Sequence, residues 1–325
     1  MEINGWRLIE RIGAGGMGEV WRARHAHLGV GALKLLREEL LADREARSRF
    51  RREAMTLQRI QGLCTGRVLD VEVDGQTPYI VTEYVAGPTL RAHIAQAGPI
   101  TDANVLQAFA LGLAEALKAV HRAGVVHRDL TATNVLMASR GPKVVDFGIA
   151  RCVDASYSTT TVFSIGTPGW MSPEQILGND VGPPSDMFCW GLLVCYAASG
   201  RNCFGVGSPE ALLYRIVHEE PSLPHLPSSV APLVLHALSK HPSSRPSAAQ
   251  VLRWIEQSVD TTTALFLEQM WHLRAVESSR SGAVNTAPIR DPRSLKWRNR
   301  RRDRGHADLT VHYPPPRLSR RGYRR

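Results

Sequence analysis

The sequence predicts an α+β fold in two lobes, a small β-rich lobe to about residue 85 and a larger helical lobe over 86–258. Three observations carry this. Short strand-like runs with turn signals fill the first 85 residues, helical periodicity takes over at residue 101, and beyond about 258 the composition shifts to Ser, Arg and Pro. Of 325 residues 43% are hydrophobic, enough to build a sizeable core. At roughly 100–200 residues per domain the length suits two domains, or one large body with a tail.

Each element has its own signal. WRLIERI, GAGGMG, EVWRAR and GALKLL, within residues 5–36, read as strands and turns. Residues 43–60 hold neither Gly nor Pro and read as a helix capped by Asp43. GRVLDVEV and PYIVTEYV read as strands separated by the turn signal DGQTP. Over 101–124 Thr101 or Asp102 caps a helix whose apolar positions 106, 110, 113, 117 and 120 share one face, and Gly124 ends it. NVLM and KVVDF suggest a small hairpin, and helices are expected near 185–199, 208–219, 230–239 and 246–258. Residues 259–277 suit one amphipathic helix. Residues 278–325 cannot bury enough apolar surface to fold alone and are expected to be disordered.

The formal charge of +10 is unevenly spread: residues 1–258 carry +1 and residues 259–325 carry +9. Any attraction to nucleic acid, anionic lipid or an acidic partner therefore concerns the tail, with its Arg cluster over 298–304; a merely solvated tail is the plain alternative. Only five of the 40 basic residues are lysines: 34, 118, 143, 240 and 296. No run of 18 apolar residues offers a membrane span. The opening MEINGWRLIER is charged where a signal peptide needs an apolar stretch, which argues against secretion. The five cysteines (64, 152, 189, 195 and 203) are odd in number and lack metal-site spacing. They read as free thiols in a reducing cytoplasm.

Gly13-Ala14-Gly15-Gly16-Met17-Gly18-Glu19-Val20 fits G-x-G-x-x-G-x-V. Glycines let a turn press its N–H groups onto phosphates without Cβ clashes. A dinucleotide fingerprint uses the same glycines to open a helix, but EVWRAR reads as a strand; an ordinary glycine hairpin is the other alternative. Lys34, in Ala32-Leu33-Lys34 on the next strand, is costly facing inward unless anions meet it. Glu53 on the following helix is a candidate partner, or else a surface partner for a nearby Arg. Downstream, His127-Arg128-Asp129-Leu130-Thr131-Ala132-Thr133-Asn134 fits H-R-D-L-x-x-x-N, and Asp146-Phe147-Gly148 follows. Phosphoryl transfer from ATP needs a carboxylate to orient and deprotonate the acceptor hydroxyl, here Asp129. It also needs oxygen ligands for Mg²⁺, here Asn134 and Asp146.

The ordered set of these motifs with Ser172-Pro173-Glu174 resembles the eukaryotic-like protein kinase domain, of the bacterial serine/threonine type, over residues 1 to about 258. The resemblance implies a two-lobed fold with ATP in the cleft. Ile12, Gly13, Ala14, Gly15, Gly16, Met17, Gly18, Val20 and Ala32 would enclose the nucleotide. Lys34 would hold its α/β-phosphates and pair with Glu53. Thr82 would guard the rear of the adenine pocket, and Glu83, Tyr84 and Val85 would form the hinge. Thr167, in Gly-Thr-Pro-Gly-Trp, suggests Ser/Thr specificity. Glu174 is expected to pair with Arg245, and Asp186 to brace the catalytic-loop backbone. Protein substrates, ATP and Mg²⁺ follow as expected partners, with self-association for autophosphorylation.

The chain departs from the family in two places. Thr131 stands where the family has Lys, and Ala132 where it has Pro. Loss of that cation could cost about 10²-fold in rate, by analogy with lost oxyanion donors. A slow kinase is the expectation, and a nucleotide-binding pseudokinase the alternative. The stretch between Ile60 and Gly66 lacks the family's His-Pro-Asn turn. In the family, Arg128 is often neutralised by a phosphorylated activation-segment residue. Thr161, then Thr159, are the candidates, unless the Ser/Thr-rich loop is simply solvated. Cys152 could be redox-sensitive or a buried inert thiol. The tail lacks a membrane span and sensor, which implies a kinase whose input is not an external ligand. A further reading makes the tail the recruiting element and the kinase its regulator.

Overall fold

In the computed structural model, which describes residues 1–147, 167–259 and Leu267, the first lobe is a six-stranded antiparallel sheet. Its strands are β1 (Glu2–Ile3), β2 (Trp6–Ala14), β3 (Gly18–His25), β4 (Gly29–Leu36), β5 (Val68–Glu72) and β6 (Tyr79–Glu83), in the spatial order β1-β2-β3-β4-β6-β5. The strand alternation in β4 sets the two faces of the sheet. Leu33 points into an outer cluster with Ile3, Trp6, Ala23, Tyr79 and Val81, which turns Ala32 and Lys34 to the opposite face. Asp70 anchors that cluster by accepting from Trp6 Nε1 (2.9 Å) and the Tyr79 hydroxyl (3.0 Å). Against the inner face lies α1 (Arg44–Arg59), started as expected by Asp43, whose carboxylate accepts from the Glu45 and Ala46 amides. Its buried side, Ala46, Phe50, Glu53, Ala54 and Leu57, faces the sheet.

The helical lobe is built round α3 (Ala103–Arg122) and α5 (Pro183–Ser199). Asp102, not Thr101, caps α3, and Gly124 follows it with φ 75°. The expected one-face stripe is too narrow, because α3 buries 14 of its 20 residues as the lobe's central helix. It has the length and hydropathy of a membrane span, but most of it is packed inside the protein. Trp190 on α5 is fully buried and donates from Nε1 to the Ala110 carbonyl (2.9 Å), tying the two helices together. The remaining elements are α2 (Leu90–Ala97), the hairpin β7 (Val135–Ala138) and β8 (Gly141–Val144), α4 (Pro173–Ile176), α6 (Pro209–His218), α7 (Ala231–Ala237) and α8 (Ala248–Val259). Helix α2 was not predicted; its eight residues bury only Leu90, too little apolar patterning to show in sequence.

In place of the missing His-Pro-Asn turn, Glu115 on α3 accepts from the amides of Leu63 (3.0 Å) and Cys64 (2.7 Å). The Cys64 carbonyl in turn accepts from Val144 N (2.8 Å), so one carboxylate secures the junction of the lobes. Beyond α8, Leu267 is helical and buried. The rest of the expected 259–277 helix past Val259, and all of the tail over 278–325, lie outside the described residues. So do Gly148, Cys152, Thr159, Thr161 and Gly166. The other four cysteines are free and buried.

Candidate active site

Between the lobes lies a cleft of about 310 Å³. Its walls include Ile12, Gly13, Val20, Ala32, Lys34, Glu53, Thr82, Glu83, Tyr84, Val85 and Asp146, all predicted from sequence. The turn residues Ala14 to Gly18 lie outside its wall. The turn closes with Gly15 N donating to Gly18 O (2.8 Å), and Met17 O accepts from Arg37 N (3.2 Å). At Gly18 glycine is required by close approach: a Cβ there would run into the Leu35 carbonyl. Sequence reasoning missed Leu136, Val145 and Thr133 in the wall. The β7 alternation, with Val135 and Met137 buried and Leu136 facing the other way, was the signal for Leu136.

Register carries Lys34 into this cleft, opposite Val20 on β3 and Ile80 on β6. Its Nζ meets Glu53 Oε1 at 2.5 Å, with the Glu53 side chain 7% exposed. Glu53 is thus an inward partner across the cleft and not a surface partner for an Arg. A compact ammonium held by one carboxylate keeps donors for a second anion. Asp146 lines the same space, on a left-handed backbone of φ 56°.

The catalytic loop is braced from below. Asp186 on α5 is fully buried, and its carboxylate accepts from His127 N (2.8 Å) and Arg128 N (2.9 Å) and bonds His121 Nε2 (2.8 Å). Arg128 takes φ 64°, a conformation costing a non-glycine residue about 1–3 kcal/mol, and these bonds hold it there. The tight turn also closes with Asp129 N donating to His127 O (2.8 Å). Burial drives the His127 pKa below its ordinary value against nearby carboxylates that raise it. Asn134 donates from Nδ2 to Asp129 O (2.8 Å), while its amide oxygen accepts from Thr133 Oγ1 (3.4 Å) and keeps a second lone pair that could serve a metal. Mg²⁺ usually takes one or two carboxylates plus substrate phosphates, not an all-protein cage.

Thr131 is 3% exposed, and its hydroxyl bonds that of Thr133 at 2.7 Å. Of the two threonines, Thr133 and not Thr131 lines the cleft, and Lys34 is the only cation among the described residues lining it. Buried Nε of Arg128 has no hydrogen-bond partner among the described residues.

Further out, Glu174 and Arg245 form the expected ion pair, bidentate at 2.6 and 2.8 Å. Burial raises the Glu174 pKa, but hydrogen bonds and charge from Arg245, with Ser185, outweigh it and hold the carboxyl below its ordinary value. Thr167 is exposed, and its carbonyl accepts from Trp170 N (3.0 Å).

A cleft between the lobes, an inward Lys–Glu pair and a buried carboxylate bracing an H-R-D turn together form the architecture of a protein kinase domain. The protein kinase domain family matches residues 6–254, and the chain belongs to that family. It is 40% identical over 250 residues to the probable serine/threonine-protein kinase PkwA of Thermomonospora curvata, covering 77% of this chain and 34% of that protein. It is 37% identical to the serine/threonine-protein kinase AfsK of Streptomyces coelicolor, covering 77% and 31%. With the probable serine/threonine-protein kinase PknB of Corynebacterium glutamicum the figures are 39% identity, 72% and 39%. The chain spans about a third of the length of these curated relatives.

Proposed function

We propose that the chain is an ATP- and Mg²⁺-dependent serine/threonine protein kinase. The observation that carries this reading is the Lys34–Glu53 pair, inside a cleft that also presents Asp146. In the proposed reaction a Ser or Thr hydroxyl oxygen attacks the γ-phosphorus, the bond to the β,γ-bridging oxygen breaks, and ADP leaves. The hydroxyl proton passes to Asp129. Lys34 binds the α/β-phosphates, and the wall from Ile12 to Val85 holds adenine. Bound through Asn134 and Asp146, Mg²⁺ would neutralise phosphate charge. No cation from Thr131 reaches the γ-phosphate, so turnover is slow.

The chain's proposed regulation follows the same chemistry. Phosphate on Thr161, or on Thr159, would meet Arg128 Nε, which has no hydrogen-bond partner among the described residues. Transfer to a second copy of the chain would place it there. The free buried thiols support a reducing, cytoplasmic setting.

Purified protein incubated with ATP and Mg²⁺ tests the reading by phosphosite mapping, alongside Lys34→Met and Asp146→Asn. We expect phosphate on Thr161 or Thr159 in the parent and none in either variant. Undiminished transfer by both variants would refute the assignment.

A further inference from the structure

Gln175 is an amide with no acid–base chemistry, yet it is 5% exposed and makes three hydrogen bonds. Its Oε1 accepts from Ser172 N (2.9 Å) and Ser172 Oγ (3.1 Å), which fixes the start of α4. Its Nε2 donates to the Arg128 carbonyl (2.8 Å), across 47 residues of sequence. The Arg128 residue is therefore held on both sides, by Asp186 at its N–H and by Gln175 at its C=O. That C=O belongs to the peptide group joining Arg128, at φ 64°, to Asp129. Rotation of this one peptide swings the Asp129 carboxylate. The bond also joins the turn to α4, the first element after the 148–166 segment.

We infer that Gln175 is a positioning residue: through the Arg128 carbonyl it sets the orientation of Asp129 and couples α4 to the catalytic turn. This role rests on the kinase reading above. Nothing in Gln175 touches the nucleotide cleft, so the role concerns the chemical step and not ATP binding. A purely structural role, capping α4, would need only the oxygen.

The two roles separate by substitution. Gln175→Glu keeps an oxygen that accepts both Ser172 bonds, since glutamate serves at this position of a capping box as well as glutamine. It removes the donor to Arg128. Gln175→Met keeps the volume and removes both. The full chain and both variants are assayed for phosphate transfer to casein and to themselves, over a range of ATP concentrations, with Tm measured for each. We expect kcat to fall about tenfold in both variants, about 1.4 kcal/mol in the barrier. The KM for ATP stays at the parent value, while Tm falls in both variants, because Gln175→Met loses the cap and Gln175→Glu sets a buried carboxylate against the Arg128 carbonyl; both are assayed well below their Tm. Parent-like kcat in the folded Gln175→Glu protein would overturn the inference and leave Gln175 a cap. So would a kcat loss matched by a rise in ATP KM in both variants. An active parent with indifferent variants overturns this role alone; an inactive parent overturns the proposed function and this role with it.

Discussion

Replacing Arg245 by methionine removes the guanidinium but keeps most of the packing, and the loss can be sized from its partners. Arg245 gives two charge-assisted bonds to Glu174, at 2.6 and 2.8 Å, and further bonds to the carbonyls of Ser239 (2.8 Å), Pro184 (2.9 Å) and Lys240 (3.2 Å). It also lies 5.0 Å from the Phe188 ring centroid. Its side chain is 0% exposed and that of Glu174 4%. Breaking such a pair leaves a buried carboxylate with Ser185 as its main remaining partner, a cost of about 3–5 kcal/mol. In a domain of this size that is roughly 6–20 °C in Tm. Glu174→Gln should cost less, about 1.5–3 kcal/mol, because Arg245 keeps its three carbonyl acceptors.

The sign with pH is also set. The Glu174 pKa is lowered on folding, so its stabilisation is fully present above the ordinary value of 4.5 and is lost as pH falls through the folded value. The gap between parent and Glu174→Gln should therefore close on acidification below that point. Urea unfolding at pH 7 and at a series of lower pH values reads both effects. A cost below about 1 kcal/mol for Arg245→Met, or a larger cost for Glu174→Gln than for Arg245→Met, would refute the account.

Thr131→Lys should speed autophosphorylation by about 10–100-fold, since it returns a cation to the transferring phosphate; an unchanged initial rate would show that the threonine is not what limits turnover. Leu267→Ala should cost about 2–5 kcal/mol in denaturant unfolding. Leu267 is 4% exposed and sits in a recess behind the hinge with Glu83, Tyr84 and Lys143, although the family match ends at residue 254. A midpoint equal to the parent's would mean that the residue contributes no packing there.

The parts of the site that were legible in sequence carry a charge or a polar amide at fixed spacing. Lys34, Asp129, Asn134 and Asp146 each announce themselves by motif, and Asp43 by its place before an uninterrupted helix. The braces were partly legible. Asp186 and the Glu174–Arg245 pair came with the resemblance, and the structure brings each to its expected partner. Glu115 and Gln175 were not legible, because their partners lie 51–52 and 47 residues away and no local pattern marks a side chain that bonds a distant backbone. The burial of α3 on nearly every side has the same origin: periodicity reports one apolar face, while tertiary packing decides how many faces are covered.

Asp186 gathers the amides of His127 and Arg128, 59 and 58 residues before it, onto a helix at the centre of the larger lobe. Two N–H groups of the catalytic turn thus depend on a long-range closure that exists only once α5 has docked on α3. Hydrogen exchange at these two amides should therefore follow the opening that separates those helices and not local fraying. Assembly of the H-R-D turn is thereby coupled to the docking of α5, and a partly folded form lacking α5 would leave both amides without this acceptor.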